Sequence, residues 1–236
     1  MSLTLDELMQ SLSFGELSGL AMANEGDGGI HSEDQPKIIS ALNETLQRLN
    51  NQFILERRDF HLILDPEITD YGVLEGQAIS LGNADGYIDD TAGRPFSKPM
   101  QILSVRRPDG TTVPLNDLAR QGAITALPQL IRLKPKPYFM MGVTRLLVEY
   151  RPELVAFAMQ PSDFSEEIHL PAVLHGALRA GIAAHIFQSM GGQENMAAAQ
   201  LHEGRYQARC QEVSLTDVLA TSEPSETNKF ADRGWV

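Results

Sequence analysis

The chain of 236 residues contains a single cysteine, Cys210. One thiol excludes an internal disulfide and a cysteine-built zinc cluster, and it points to folding in an intracellular setting. Aromatic residues make up only 6% of the chain, and Trp235 is the one tryptophan. That scarcity weighs against a carbohydrate-binding module, whose sugar platforms need exposed rings. No apolar run approaches the roughly 20 residues of a membrane span. The opening MSLTLDELMQ lacks the basic start and apolar centre of a signal peptide. Positive charge is also short: 19 Lys and Arg stand against 31 Asp and Glu, a net charge of −12. This argues against a protein that grips nucleic acid through its phosphates. It leaves open one that surrounds DNA without holding it, and an acidic surface also serves plain solubility.

Motifs of catalysis are missing too. The chain has no G-x-S-x-G elbow and no H-E-x-x-H. The histidines are His31, His61, His169, His175, His185 and His202, and no two share the spacing of a helical metal pair. Gly26, Gly28 and Gly29 lie in a glycine-rich stretch. No strand pattern precedes it and no Lys-Ser pair follows, so it reads as a loop rather than a phosphate cradle. Cys210 falls in step with a helical pattern and reads as packing rather than as a nucleophile. The paired acids Asp89-Asp90 and Glu166-Glu167 are the only support for an enzyme, a peptidoglycan hydrolase carried in a virion. Asp89-Asp90 sits among turn residues, where solvated acids are routine.

What is present is periodic pattern. Thr4 and Glu7 form a capping-box pair for a short helix over 3–10. Ile38, Ile39, Leu42, Leu46, Leu49 and Phe53 recur at helical spacing over 36–53, with Pro36 in the first turn. The period then changes. Phe60, Leu62 and Leu64 alternate as in a half-buried strand. Strands are also expected over 101–107, 111–115, 129–133 and 143–151, separated by turn signals such as Pro108-Asp109-Gly110. Lys134-Pro-Lys-Pro137 reads as a loop or an edge. Arg57-Arg58 and Arg106-Arg107 are doublets within strands, suited to a solvated edge or to salt bridges between subunits. Helix returns over 170–190, with a stripe from Val173 to Ile186 and many small residues, among them Ala177, Ala180 and Gly181. Small residues let another helix approach closely, and the natural partner is the 36–53 helix. Gly191-Gly192 ends this helix, and 193–212 reads as helix again.

The fold expected is α+β: an antiparallel helical bundle with an inserted small antiparallel β-sandwich or barrel and an extended C-terminal tail. Residues 1–53 and 165–215 form the discontinuous bundle, 54–164 the β-rich insertion, and 216–236 a tail too polar to order by itself.

Four stretches carry a family resemblance: LSFGELSGLAM, EDQPKIISALNETLQRL, ITDYGV after a charged strand, and LPAVLHGALRAGIAAHIFQSMG. In this order they resemble the head–tail adaptor (connector) proteins of short-tailed bacteriophages. The resemblance implies a structural virion protein and not an enzyme. It implies a homo-oligomeric, dodecameric ring docked below the portal protein, extending the DNA channel and receiving the tail tube or nozzle. DNA would pass through the lumen without specific binding. Assembly would occur in the host cytoplasm, with the product at the head–tail junction of the virion. No cofactor, metal, membrane or catalytic residue is implied. For the tail, Phe230 and Trp235, flanked by Lys229 and Arg233, are candidate anchors onto the portal or a neighbouring subunit.

Overall fold

The computed structural model describes residues 3–22, 29–117, 122–161 and 163–216. Five helices are formed: α1 (Leu5–Phe14), α2 (Gln35–Gln52), α3 (Pro135–Met140), α4 (His175–Met190) and α5 (Gln193–Thr216). The strands are β1 (Leu3–Thr4), β2 (Arg58–Ile63), β3 (Asp70–Gly72), β4 (Ile88–Asp89), β5 (Pro99–Arg106), β6 (Ile124–Leu127), β7 (Leu130–Arg132), β8 (Arg145–Pro152) and β9 (Glu167–Ile168). The chain divides into two compact units. Within the described residues, one contains the chain up to Leu55 and resumes at Leu154, and the other is Glu56–Glu153.

The expected bundle with an inserted sandwich or barrel is not what is found. The described residues are mixed, with five α-helices and three small antiparallel sheets, so only the broad α+β class stands. Helix and strand interleave in both units. In the first unit, β1 pairs with β9, placing Leu3 opposite Ile168 and Thr4 opposite Glu167. In the second, Lys134-Pro-Lys-Pro137 does not stay extended. Pro135 opens α3 from its first turn, where a missing N–H leaves no bond unmade.

The unit of residues 3–55 and 154–216 starts from local signals. The Thr4 hydroxyl accepts from Glu7 N at 3.2 Å, and the Glu7 carboxylate accepts from Thr4 N at 3.0 Å. The next two free N–H groups of α1 are also met: Leu5 N donates to Glu166 O and Asp6 N to Phe164 O. Leu5, Leu8 and Leu12 then join Ile38, Leu42 and Leu49 of α2 and Leu178 and Ile182 of α4 in one apolar core. The small residues of α4 allow close approach at one point in particular. A Cβ on Gly181 would stand 2.5 Å from Thr45 Cγ2 and 3.1 Å from the Tyr206 ring, so α2 and α5 both press on this glycine. Gly191 and Gly192, with φ of 66° and 81°, adopt the left-handed backbone that ends α4.

In the unit Glu56–Glu153, one sheet has the strand order β4-β2-β8-β5 and the other β3-β7-β6. Phe60 and Leu62 of β2 and Leu146, Val148 and Tyr150 of β8 face the core, following the two-residue period. The rings of Phe60, Phe96 and Tyr150 pack with centroids 5.6–5.8 Å apart. The strands stop short of a barrel because turn residues cut them to as few as two residues, and β5 shifts register twice against β8. Thr111–Leu115 returns only briefly, through a bridge of Thr112 to Arg106 and a bond from Val113 N to Val105 O.

Candidate functional site

Two of the acids singled out by sequence, Asp89 and Asp90, serve the backbone. Asp90 is buried, and its carboxylate accepts from Ser80 N at 3.0 Å, from the Ser80 hydroxyl, and from Phe96 N at 2.6 Å. Burial pushes its pKa up, and these bonds more than reverse that, so it lies below the ordinary aspartate value. Asp89 accepts from the Thr91 hydroxyl at 2.6 Å and pairs with Arg145 at 3.3 Å, and its pKa is lowered chiefly by the Thr91 bond. These are charged clamps on the turn between β4 and β5. A general acid needs the opposite shift. Glu166 and Glu167 are exposed at β9.

The histidines do not gather. Among the described residues, no group of three His, Cys, Asp or Glu side chains is placed to hold a metal ion. His185 pairs with Glu44 of α2 at 3.1 Å. His202 of α5 is buried and stacks flat on Phe187, with centroids 5.4 Å apart and planes at 8°. Cys210 is buried beside Tyr206, and burial pushes its thiol up, so it is not an activated nucleophile. No described helix is long and apolar enough to cross a membrane. Lys229, Phe230, Arg233 and Trp235 lie outside the described residues, as does the glycine-rich stretch around Gly26 and Gly28.

The arginine doublets are engaged within their own unit. Arg57 donates to Glu149 at 3.1 Å, and Arg106 stands 3.8 Å from the same carboxylate. Arg58 and Arg94 share Glu56 at 2.9 and 2.7 Å. Burial raises the pKa values of Glu56 and Glu149, and the arginines outweigh it and hold both carboxyls down. Charge is unevenly divided along the chain. Residues 56–153 hold 12 of the 19 Lys and Arg and 13 of the 31 Asp and Glu, leaving the remainder at −11.

Sequence reasoning missed the polar layer between α2 and α5. Arg48 grips Glu203 with two bonds, at 3.1 and 2.6 Å, and its guanidinium lies 4.3 Å from the Tyr206 ring centroid. The Arg48 bond lowers the Glu203 pKa. The partners are 155 residues apart, so no local pattern could announce them. The outward side of α5 was missed as well. Leu201 and Leu215 are 57% and 78% exposed there, far above what a helix packed on both sides would leave.

Comparison with models of known protein families gives no match, and comparison with curated protein sequences gives none either.

Proposed function

We propose that this chain is a structural virion protein, a head–tail adaptor that forms a ring below the portal, extends the DNA channel and docks tail components. The observation that carries the reading is the ordered run of four sequence stretches, from LSFGELSGLAM through EDQPKIISALNETLQRL and ITDYGV to LPAVLHGALRAGIAAHIFQSMG. Three of the four supply core residues to one unit: Leu12 and Leu17, Ile38 and Leu42, and Leu178 and Ile182. ITDYGV supplies Tyr71 and Val73 to the core of the other.

The charge division supports the same reading. A lumen lined by the acidic part of the chain would repel passing DNA, and the near-neutral 56–153 region is left for protein contacts. Like-charged subunits repel one another, so the free protein is monomeric or weakly associated, and the ring forms on the portal as template. Phe230 and Trp235 anchor the tail to the portal or to a neighbouring subunit, with Lys229 and Arg233 beside them.

The test is binding to purified portal rings. Deleting 223–236 should leave the helix content of the free protein unchanged and weaken binding strongly. Trp235→Ala should reproduce a large part of that loss. Full-strength binding by the truncated chain would remove the tail from the proposal. Absence of binding by the intact chain would remove the adaptor function.

A further inference from the structure

Helix α5 carries two seams of mostly apolar or small residues, and among the described residues only the inward one is covered. Ala199, His202, Tyr206, Cys210 and Val213 form the inward seam and are all buried. At 100° per residue, Ala197, Leu201, Gly204, Ala208, Gln211 and Leu215 fall within about 40° of the line opposite Tyr206. All six are exposed. They recur in alternating steps of four and three, the spacing of a coiled-coil seam. A Cβ built on Gly204 meets nothing within 4 Å, so the middle of this seam is open.

We infer that this outer seam pairs with the same seam of a second copy, antiparallel, about a twofold axis between Arg209 and Cys210. In that register Leu215 of one copy lies over Gly204 of the other, and Ala208 lies against Gln211. The knobs and the hole are complementary in volume. The flanking charges agree. One flank of the seam carries Arg205 and Glu212, both exposed, and Glu212 also pairs with the exposed Arg209 of its own helix at 3.0 Å. The other carries Gln200, Gln207 and Ser214. The antiparallel register brings Arg205 of each copy beside Glu212 of the other, giving two reciprocal ion pairs. A parallel register would oppose Gly204 to Gly204, leaving a gap, and would set the charged flank against glutamines. Gln211, polar in an otherwise small or apolar seam, favours one register over its neighbours, as buried polar positions do in coiled coils.

The pair is weak by size. The overlap of the two copies, from Gly204 to Leu215, runs about 17 Å, at 1.5 Å per residue. In this register it offers four seam positions a side, Gly204, Ala208, Gln211 and Leu215, plus its flanks, against the 20–30 residues a side of a standard stable interface. A twofold contact closes on itself and cannot build a ring. This pair is therefore a state of the free protein. It goes beyond the adaptor reading and does not depend on it.

Sedimentation equilibrium over about 10 µM to about 1 mM, the range such a small interface implies, reads the association directly. The intact chain should show a reversible monomer–dimer equilibrium, lost in Leu215→Asp at unchanged helix content. Arg205→Glu should weaken it about fivefold or more, since two ion pairs become two like-charge contacts, and Arg205→Glu with Glu212→Arg should restore it. Register is read by mixing Ala208→Cys and Gln211→Cys chains with a short thiol cross-linker, Cys210 being buried. Links between positions 208 and 211 are expected. Predominant 208–208 links, equal weakness of the single and double charge variants, or a chain monomeric throughout would each overturn the inference. So would a Leu215→Asp chain that loses portal binding while self-association is unchanged, which would give the seam to the portal. Ring formation on the portal is read separately, so the two proposals fail independently.

Discussion

The Asn43 side-chain amide makes both backbone hydrogen bonds of Phe157: Nδ2 donates to Phe157 O at 2.9 Å, and Oδ1 accepts from Phe157 N at 2.8 Å. One residue of α2 thus acts as a strand partner to a segment 114 residues away and holds it on the helical core, where Leu154, Phe157 and Phe164 pack. Asn43→Ala should cost about 1–2 kcal/mol, because both groups of Phe157 lose their partner in a half-buried site. Asn43→Asp should give a variant whose stability falls as pH rises through the aspartate range, since the ionised side chain can no longer donate to Phe157 O. Chemical denaturation at pH 3.5 and pH 7 checks both.

Gly181→Ala should destabilise the helical unit by about 1–3 kcal/mol, because the added methyl meets Thr45 Cγ2 at 2.5 Å. Adding Thr45→Ser removes that methyl and keeps the hydroxyl bond to Ala41 O, so the double variant should recover part of the loss. Equal stability of the wild type and Gly181→Ala would mean that α2 and α4 can separate freely at this point.

His202 predicts a pH dependence. Burial and the nearby Arg205 push its pKa below the ordinary 6.5, with Glu16 opposing them. Its Nδ1 is buried with no hydrogen-bond partner. The unfolded chain takes up a proton near 6.5, and the folded chain only at lower pH. Stability should therefore be fully present above 6.5, fall as pH drops below it, and level off once the folded pKa is passed. His202→Phe keeps a ring on Phe187 and should flatten this part of the profile, read as thermal midpoints from pH 8 to pH 5.

Gly204→Ala, examined at concentrations too low for pairing, should raise helix stability by about 0.5–1 kcal/mol. The position is helical, and its Cβ would meet nothing. A thermal midpoint that falls instead would place an unseen contact on the outer face of α5.

Local chemistry was the legible part. Thr4 with Glu7, Pro36, the alternation of Phe60, Leu62 and Leu64, and Gly191-Gly192 all act within a few residues of themselves, and each does in the fold what its spacing implies. Lys134-Pro-Lys-Pro137 was misread because the same prolines that break a sheet ladder also suit a helix start. The arrangement of sheets was not legible, since short strands pair across turns that the alternation does not specify. Asn43 with Phe157 and Arg48 with Glu203 were beyond reach, because each polar side chain looks solvated until the fold brings a distant partner to it. The outer seam of α5 was present in the sequence. A helix with apolar residues on two opposite faces shows little net asymmetry, and the inward residues alone suffice to dock it.

The central claim is tested most directly by cryo-electron microscopy of this protein mixed with its proposed portal partner. The adaptor reading predicts a second ring stacked coaxially on the portal, with its central channel continuing the portal channel. Bare portal particles in the presence of excess protein, or protein bound away from the axis, would contradict it.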